Sequence, residues 1–118
     1  MLHLIFCLRR LPHLTREEFQ RYWREHHAAV LGMRRYVQAH TTTPGMAQAI
    51  TAVRAAPDPY DGVAELWFDE QVVMSRSAMP EALEAGRALL EDERRFIDLA
   101  HSPIFFAQEH VVIDSACA

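Results

Sequence analysis

Leu2-His3-Leu4-Ile5-Phe6-Cys7-Leu8 and, after a turn around Pro12, Thr15-Arg16-Glu17-Glu18-Phe19 decide how this chain folds. The first is a continuous apolar run ended by Arg9-Arg10, the pattern of a strand covered on both faces. The second is a capping box, in which Thr15 caps a helix and Glu18 reaches back to its amide. The helix is predicted to run to about Leu31, where Gly32 can end it. At about 100° per residue, Phe19, Tyr22, Trp23, His26 and Val30 gather on one face, with His27 at its flank.

Working outward, Arg35 to Thr43 reads as a second strand with Tyr36, Gln38 and His40 on one face and Val37, Ala39 and Thr41 on the other. Pro44 to Pro59 is a long loop with a helical turn near Ala47 to Val53, and loops of that length are often functional lids or dimer arms. Asp61-Gly62 turns into a third strand, Val63 to Phe68, with Val63, Glu65 and Trp67 opposite Ala64, Leu66 and Phe68. A short helical piece near Gln71 to Ala78 precedes a helix from Pro80 to about Ala100. Its run Glu91-Asp92-Glu93-Arg94-Arg95 reads as a solvated, ion-paired face. Pro103 to Ile113 is the last strand.

This order predicts one α+β domain over residues 1–118: a ferredoxin-like βαββαβ unit with a four-stranded antiparallel sheet and helices on one face. Leu2, Leu4, Phe6, Trp67, Phe105 and Val111 would then lack cover on the other face. A second copy across a two-fold axis is the simplest cover, so a homodimer is expected.

Composition narrows the function. With 118 residues, 50% hydrophobic and 24% charged, the chain is neither disordered nor multidomain. All 12 basic residues are Arg, which excludes lysine Schiff-base chemistry and a phosphate-loop lysine. The net charge is −4 and no continuous basic stripe occurs, so nucleic acid is not an expected partner. Cys7 and Cys117 match no metal or redox spacing and fit a reducing cytoplasm. Residues 2–8 are too few to span a membrane, and their arginines follow the apolar run, the reverse of a signal peptide. No glycine-rich phosphate loop, nucleophile elbow or His-x-x-x-His pair occurs, so neither a cofactor nor a metal is expected.

Several strings together resemble one family. They are Leu14 to Phe19, Tyr22-Trp23-Arg24-Glu25-His26-His27, Arg35 to His40, Tyr60 to Phe68, Phe96-Ile97-Asp98 and the final strand from Phe106 to Val112. In this order they resemble EthD-type proteins along nearly the whole chain. The resemblance implies a dimeric α+β barrel, in which two ferredoxin-like sheets pack face to face. Related barrels include polyketide cyclases, quinone-forming monooxygenases, lactone isomerases, decarboxylases and haem-degrading enzymes, so fold similarity spreads the functional expectation. It also implies a helix histidine at the His27 position. That histidine is usually followed by Gly-Pro, whereas this chain has Ala28-Ala29.

His27 and His26 are the first candidate bases, since imidazole titrates near neutrality; the resemblance favours His27 and the helical wheel His26. His40 and Glu65 complete the catalytic set, Glu65 because a carboxylate on a buried strand must be paired or have its pKa raised. Trp23, Tyr22, Tyr36, Gln38 and Trp67 are the candidate walls for a hydrophobic, aromatic, polyketide-like or lactone substrate. The expected function is a cofactor-independent enzyme working by proton transfer: cyclisation, isomerisation, decarboxylation or oxygenation. The alternative is a non-catalytic accessory protein that binds a metabolite or assists a neighbouring oxidase.

Overall fold

A computed structural model of the chain describes residues 1–26 and 32–115. The elements are β1 (Leu2–Leu8), α1 (Arg16–Glu25), β2 (Met33–His40), α2 (Met46–Ala52), β3 (Gly62–Phe68), α3 (Glu70–Arg76), α4 (Pro80–Glu93) and β4 (Ile104–Ala107). The strands form one antiparallel sheet in the order β2-β3-β1-β4. Returning the second strand to the far side of the third is the split βαβ order of the ferredoxin-like fold, as the element sequence predicted. No helix among the described residues is long and apolar enough to cross a membrane.

The capping box is present in full: the Glu18 amide donates to Thr15 Oγ1 at 3.1 Å and the Thr15 amide donates to Glu18 Oε1 at 3.0 Å. It starts α1 at the angle that seats Phe19 and Trp23 on the sheet, where they are 0% and 3% exposed. The core joins these two to Phe6, Leu8, Ala64, Phe96 and Ile97. Phe6 and Leu8 are therefore helix-side residues, and period 2 places Leu4 with them. Leu2, opposite the buried Phe68, shares that face, so the expectation that Leu2, Leu4 and Phe6 lack cover on the second face is corrected.

Other corrections concern element ends. The described helix α1 stops at Glu25, because His26 leaves the helical region at φ −115°, ψ 89°. Helix α4 stops at Glu93, short of Ala100. Beyond it the chain turns so that Phe96 and Ile97 enter the core and Ile97 bridges to Arg10. Strand β4 spans four residues, and Val111, Val112 and Ile113 beyond it are exposed. Strand propensity alone does not extend a ladder past the last residue that finds a partner on β1.

One end of the sheet is tied by Asp61, which is 3% exposed. Its carboxylate accepts from the Arg10 amide at 2.8 Å, from the Arg10 guanidinium, and from Arg16 Nε at 3.1 Å. Burial alone raises its pKa, but these bonds from Arg10 and Arg16 outweigh it and hold the carboxyl below its ordinary value. Gln20 reaches across from α1 to the Asp61 carbonyl at 3.0 Å and the Thr41 carbonyl at 2.9 Å. Strand β3 and helix α1 are thereby fixed relative to each other before any substrate is considered.

Candidate functional site

Between the sheet and the helices lies a cavity of about 60 Å³. Phe6, Leu8, Ala64 and Leu66 line its floor, Trp23, His26 and Tyr36 one side, and Leu89, Asp92, Glu93, Phe96 and Ile97 the other. An apolar cleft with a few converging polar groups is the usual form of a small-molecule site.

Trp23 organises one side. Its Nε1 donates to Tyr36 Oη at 3.0 Å and its ring stacks on His40 with centroids 4.6 Å apart. The ring lies over Gly62, where a Cβ would come within 2.4 Å of it. Gly62 is thus a strand residue that makes room for Trp23, and turn chemistry is not its reason. Gln38 Nε2 donates to the Trp23 carbonyl and to Tyr36 Oη, each at 3.1 Å. Because that carbonyl can only accept, the Gln38 amide nitrogen faces it and Oε1 faces His40 Nε2 at 2.8 Å. His40 therefore carries its proton on Nε2. Burial first, then the neighbouring Arg24, lowers its pKa and so favours the neutral ring. The polar row Tyr36, Gln38 and His40 is paired internally and against Trp23, which offsets its desolvation.

The other side carries two carboxylates. Asp92 accepts a hydrogen bond from Tyr22 Oη at 2.8 Å. That bond is the main reason the Tyr22 phenol is pushed above its ordinary pKa. Glu93 has no hydrogen-bond partner for its carboxylate among the described residues, and burial, aided by the adjacent Asp92, raises its pKa. The reading of 91–95 as wholly solvated is corrected here: Glu91 pairs with Arg87 in solvent, while Asp92 and Glu93 turn into the pocket. The missed signal was spacing. Leu89, Asp92, Glu93, Phe96 and Ile97 stand at i, i+3, i+4, i+7 and i+8, the stripe that faces a core.

The structure separates the residues picked from sequence. Trp23, Tyr36 and His26 reach the pocket, and Gln38 and His40 stand behind Tyr36 and Trp23. Tyr22 is half-buried beside it; its ring stacks on His26 at 3.9 Å, and its carbonyl lies 3.0 Å from His26 Nδ1. His26 itself is exposed, at the pocket rim. His27 lies outside the described residues, as does Cys117. Glu65 and Trp67 are on the opposite face of the sheet, as period 2 requires once Ala64 and Leu66 face the helices. There Glu65 Oε1 lies 3.1 Å from Nε2 of His3, and His3 stacks on Trp67 at 4.3 Å. The guanidinium of Arg35 covers the Trp67 ring at 4.6 Å. Glu65 thus belongs to a different constellation from His40, and its partner, His3, was hidden inside the apolar run of β1.

A comparison with known families bears on this arrangement. A family model described as the EthD domain matches residues 11–100, which include α1, β2, β3, α4 and every pocket residue except Phe6 and Leu8. No curated protein matches the chain significantly. The match covers well over half of the 118 residues, and the chain belongs to the EthD domain family.

Proposed function

We propose that this protein is an enzyme that moves a proton at a small hydrophobic, aromatic molecule held in the helix-side pocket. The observation that carries the reading is Glu93: a carboxylate without a hydrogen-bond partner among the described residues, raised in pKa by burial, on the wall of an otherwise apolar cavity. A carboxyl group shifted toward neutrality can take a proton from an acidic carbon or phenol and return it elsewhere, the exchange behind isomerisation, cyclisation and decarboxylation. Trp23 and Phe96 give the reacting edge of the ring an apolar lining, beside the hydrogen-bonded Tyr36. Gln38 and His40 are positioning residues that hold Tyr36 and Trp23.

His26 at the rim is a second proton carrier in this proposal. His27 keeps its candidacy on the sequence alone. A cavity of about 60 Å³ has room for about two waters' share of liquid volume, so the reacting end of the molecule enters and the remainder lies toward the rim. The second reading is a non-catalytic accessory protein that binds a metabolite through the same apolar lining, with no use for Glu93. The proposal keeps a homodimer formed through the second sheet face, where Phe105 is 45% exposed, and a cytoplasmic setting.

The test is turnover of a panel of phenolic, enol-lactone and β-keto-acid compounds by the wild-type chain and Glu93→Gln. Loss of turnover with retained ligand affinity supports the enzyme. Equal turnover in both overturns the role of Glu93. Ligand binding with no turnover in either favours the accessory reading.

A further inference from the structure

The second face of the sheet holds one constellation that the proposed proton-transfer site does not use. His3 on β1, Glu65 on β3 and Glu109, which follows β4, each offer one ligand atom, and these atoms all lie within 4.8 Å of one another. From these three residues we infer that the protein binds one first-row divalent transition cation of the zinc class on this face.

Three observations carry the inference. First, the donor set is one imidazole and two carboxylates, the mixed nitrogen and oxygen set that zinc and its neighbours take. Two carboxylates and a neutral imidazole balance a dication. Second, the spacing is already that of a coordination sphere. His3 Nε2 and Glu65 Oε1 stand 3.1 Å apart. Donors at about 2.0–2.1 Å from a tetrahedral ion stand about 3.3 Å from each other. Glu109 is exposed, so its side chain is free to close the remaining distance. Third, the histidine is held out of water in the orientation a ligand needs: His3 is 6% exposed and its Nε2 faces Glu65, so an ion there meets a ring that is already desolvated. Its Nδ1 has no hydrogen-bond partner among the described residues and is not one of the proposed donors.

The surroundings favour a rigid site. Trp67 stacks on the His3 ring with 9° between planes, which fixes the imidazole before an ion arrives. Three protein ligands leave one coordination position for water or an exogenous ligand. The ion would pin the segment after β4 to the two central strands. The site lies on the opposite face of the sheet from the Glu93 pocket, so it stands or falls independently of the proposed reaction.

The test uses the full-length chain stripped with EDTA and titrated with Zn²⁺ by calorimetry, then with Co²⁺ by absorption and tryptophan fluorescence. One ion per chain is expected, with Co²⁺ quenching an emission that Trp67→Phe removes. Glu109→Gln and Glu65→Gln should each weaken Zn²⁺ binding by about tenfold or more. Glu109 is exposed and outside the sheet, so its variant remains folded and readable even where a His3 variant does not fold. Substoichiometric binding overturns the inference. So does binding that survives the double variant, which would place the ion on surface imidazoles such as His110 or His101.

Discussion

The two faces of the sheet treat polar side chains in opposite ways. On the helix side Tyr36, Gln38 and His40 are half-buried and hydrogen-bonded into a network anchored on Trp23. On the other face only His3 is buried among the described strand residues, and the rest are half-exposed or exposed. Both faces carry aromatic rings stacked on imidazoles, His40 on Trp23 and His3 on Trp67. What differs is cover. The helices turn one face into a pocket with a shifted carboxyl group, while the other has no layer over it among the described residues. Residue type and alternation prepare both faces equally; only the layer above decides which becomes a site.

That contrast can be broken by substitution, and the largest effect should fall on chemistry. Glu93→Gln is expected to lower turnover by about 10²–10⁴-fold, whereas Glu65→Gln, across the sheet, should leave it within a few-fold; steady-state kinetics on both variants reads the difference. Next comes the Asp61 tie on which the helix-side geometry rests. Asp61→Asn leaves Arg10 and Arg16 without their buried anion and should cost about 3–5 kcal/mol in urea unfolding. Because the folded pKa of Asp61 lies below its ordinary 3.8, this stability is complete above that value and is lost as pH falls through the depressed one. Acid titration followed by circular dichroism should therefore show the wild type losing stability below about pH 4, with that component absent in the Asn variant.

A smaller effect should follow from Gly62→Ala, which drives a methyl group into the Trp23 ring. About 1–3 kcal/mol of destabilisation is expected, together with altered ligand affinity as Trp23 shifts from the pocket wall. An ordinary strand glycine would instead gain stability on the same change, so the sign alone is decisive. Smallest of all, Phe105→Ser on the uncovered face should change monomer stability by under about 1 kcal/mol. If the homodimer forms there, the same variant should halve the mass measured by sedimentation. A stability loss of several kcal/mol would mean that face is already covered within the chain.

Much of this architecture was legible because its signals are local. The capping box at Thr15, the alternation in β2 and β3 and the proline at the start of α4 each concern residues within one or two turns of each other. The ends of α1, α4 and β4 were not legible, because they are set by contacts far away in sequence. Helix α4 yields at Glu93 so that Phe96 and Ile97 can enter a core built around Phe19, and β4 stops where β1 offers no further partner. The site shows the same division. Trp23 and Tyr36 were found from an amphipathic face and a polar strand row. Glu93 was missed because a string of charges reads as solvent-facing until its i, i+3, i+4 placement with Leu89 and Phe96 is counted. His3 was missed because an imidazole in an apolar run looks like core, and its partner Glu65 arrives only through strand pairing.

The strand order has a consequence for how the protein is made. Strand β1 is synthesised before the other three strands of the sheet, yet it lies inside it, flanked by β3 and by β4, where His3 pairs with Ala107. One edge finds β3 midway through synthesis, but the N–H and C=O groups of the other stay unpaired until β4 emerges. Such long-range closure makes folding slow relative to helical domains of similar size. The nascent chain therefore carries an adhesive, half-made sheet until β4 has left the ribosome, and a holdase chaperone at that stage should raise its yield.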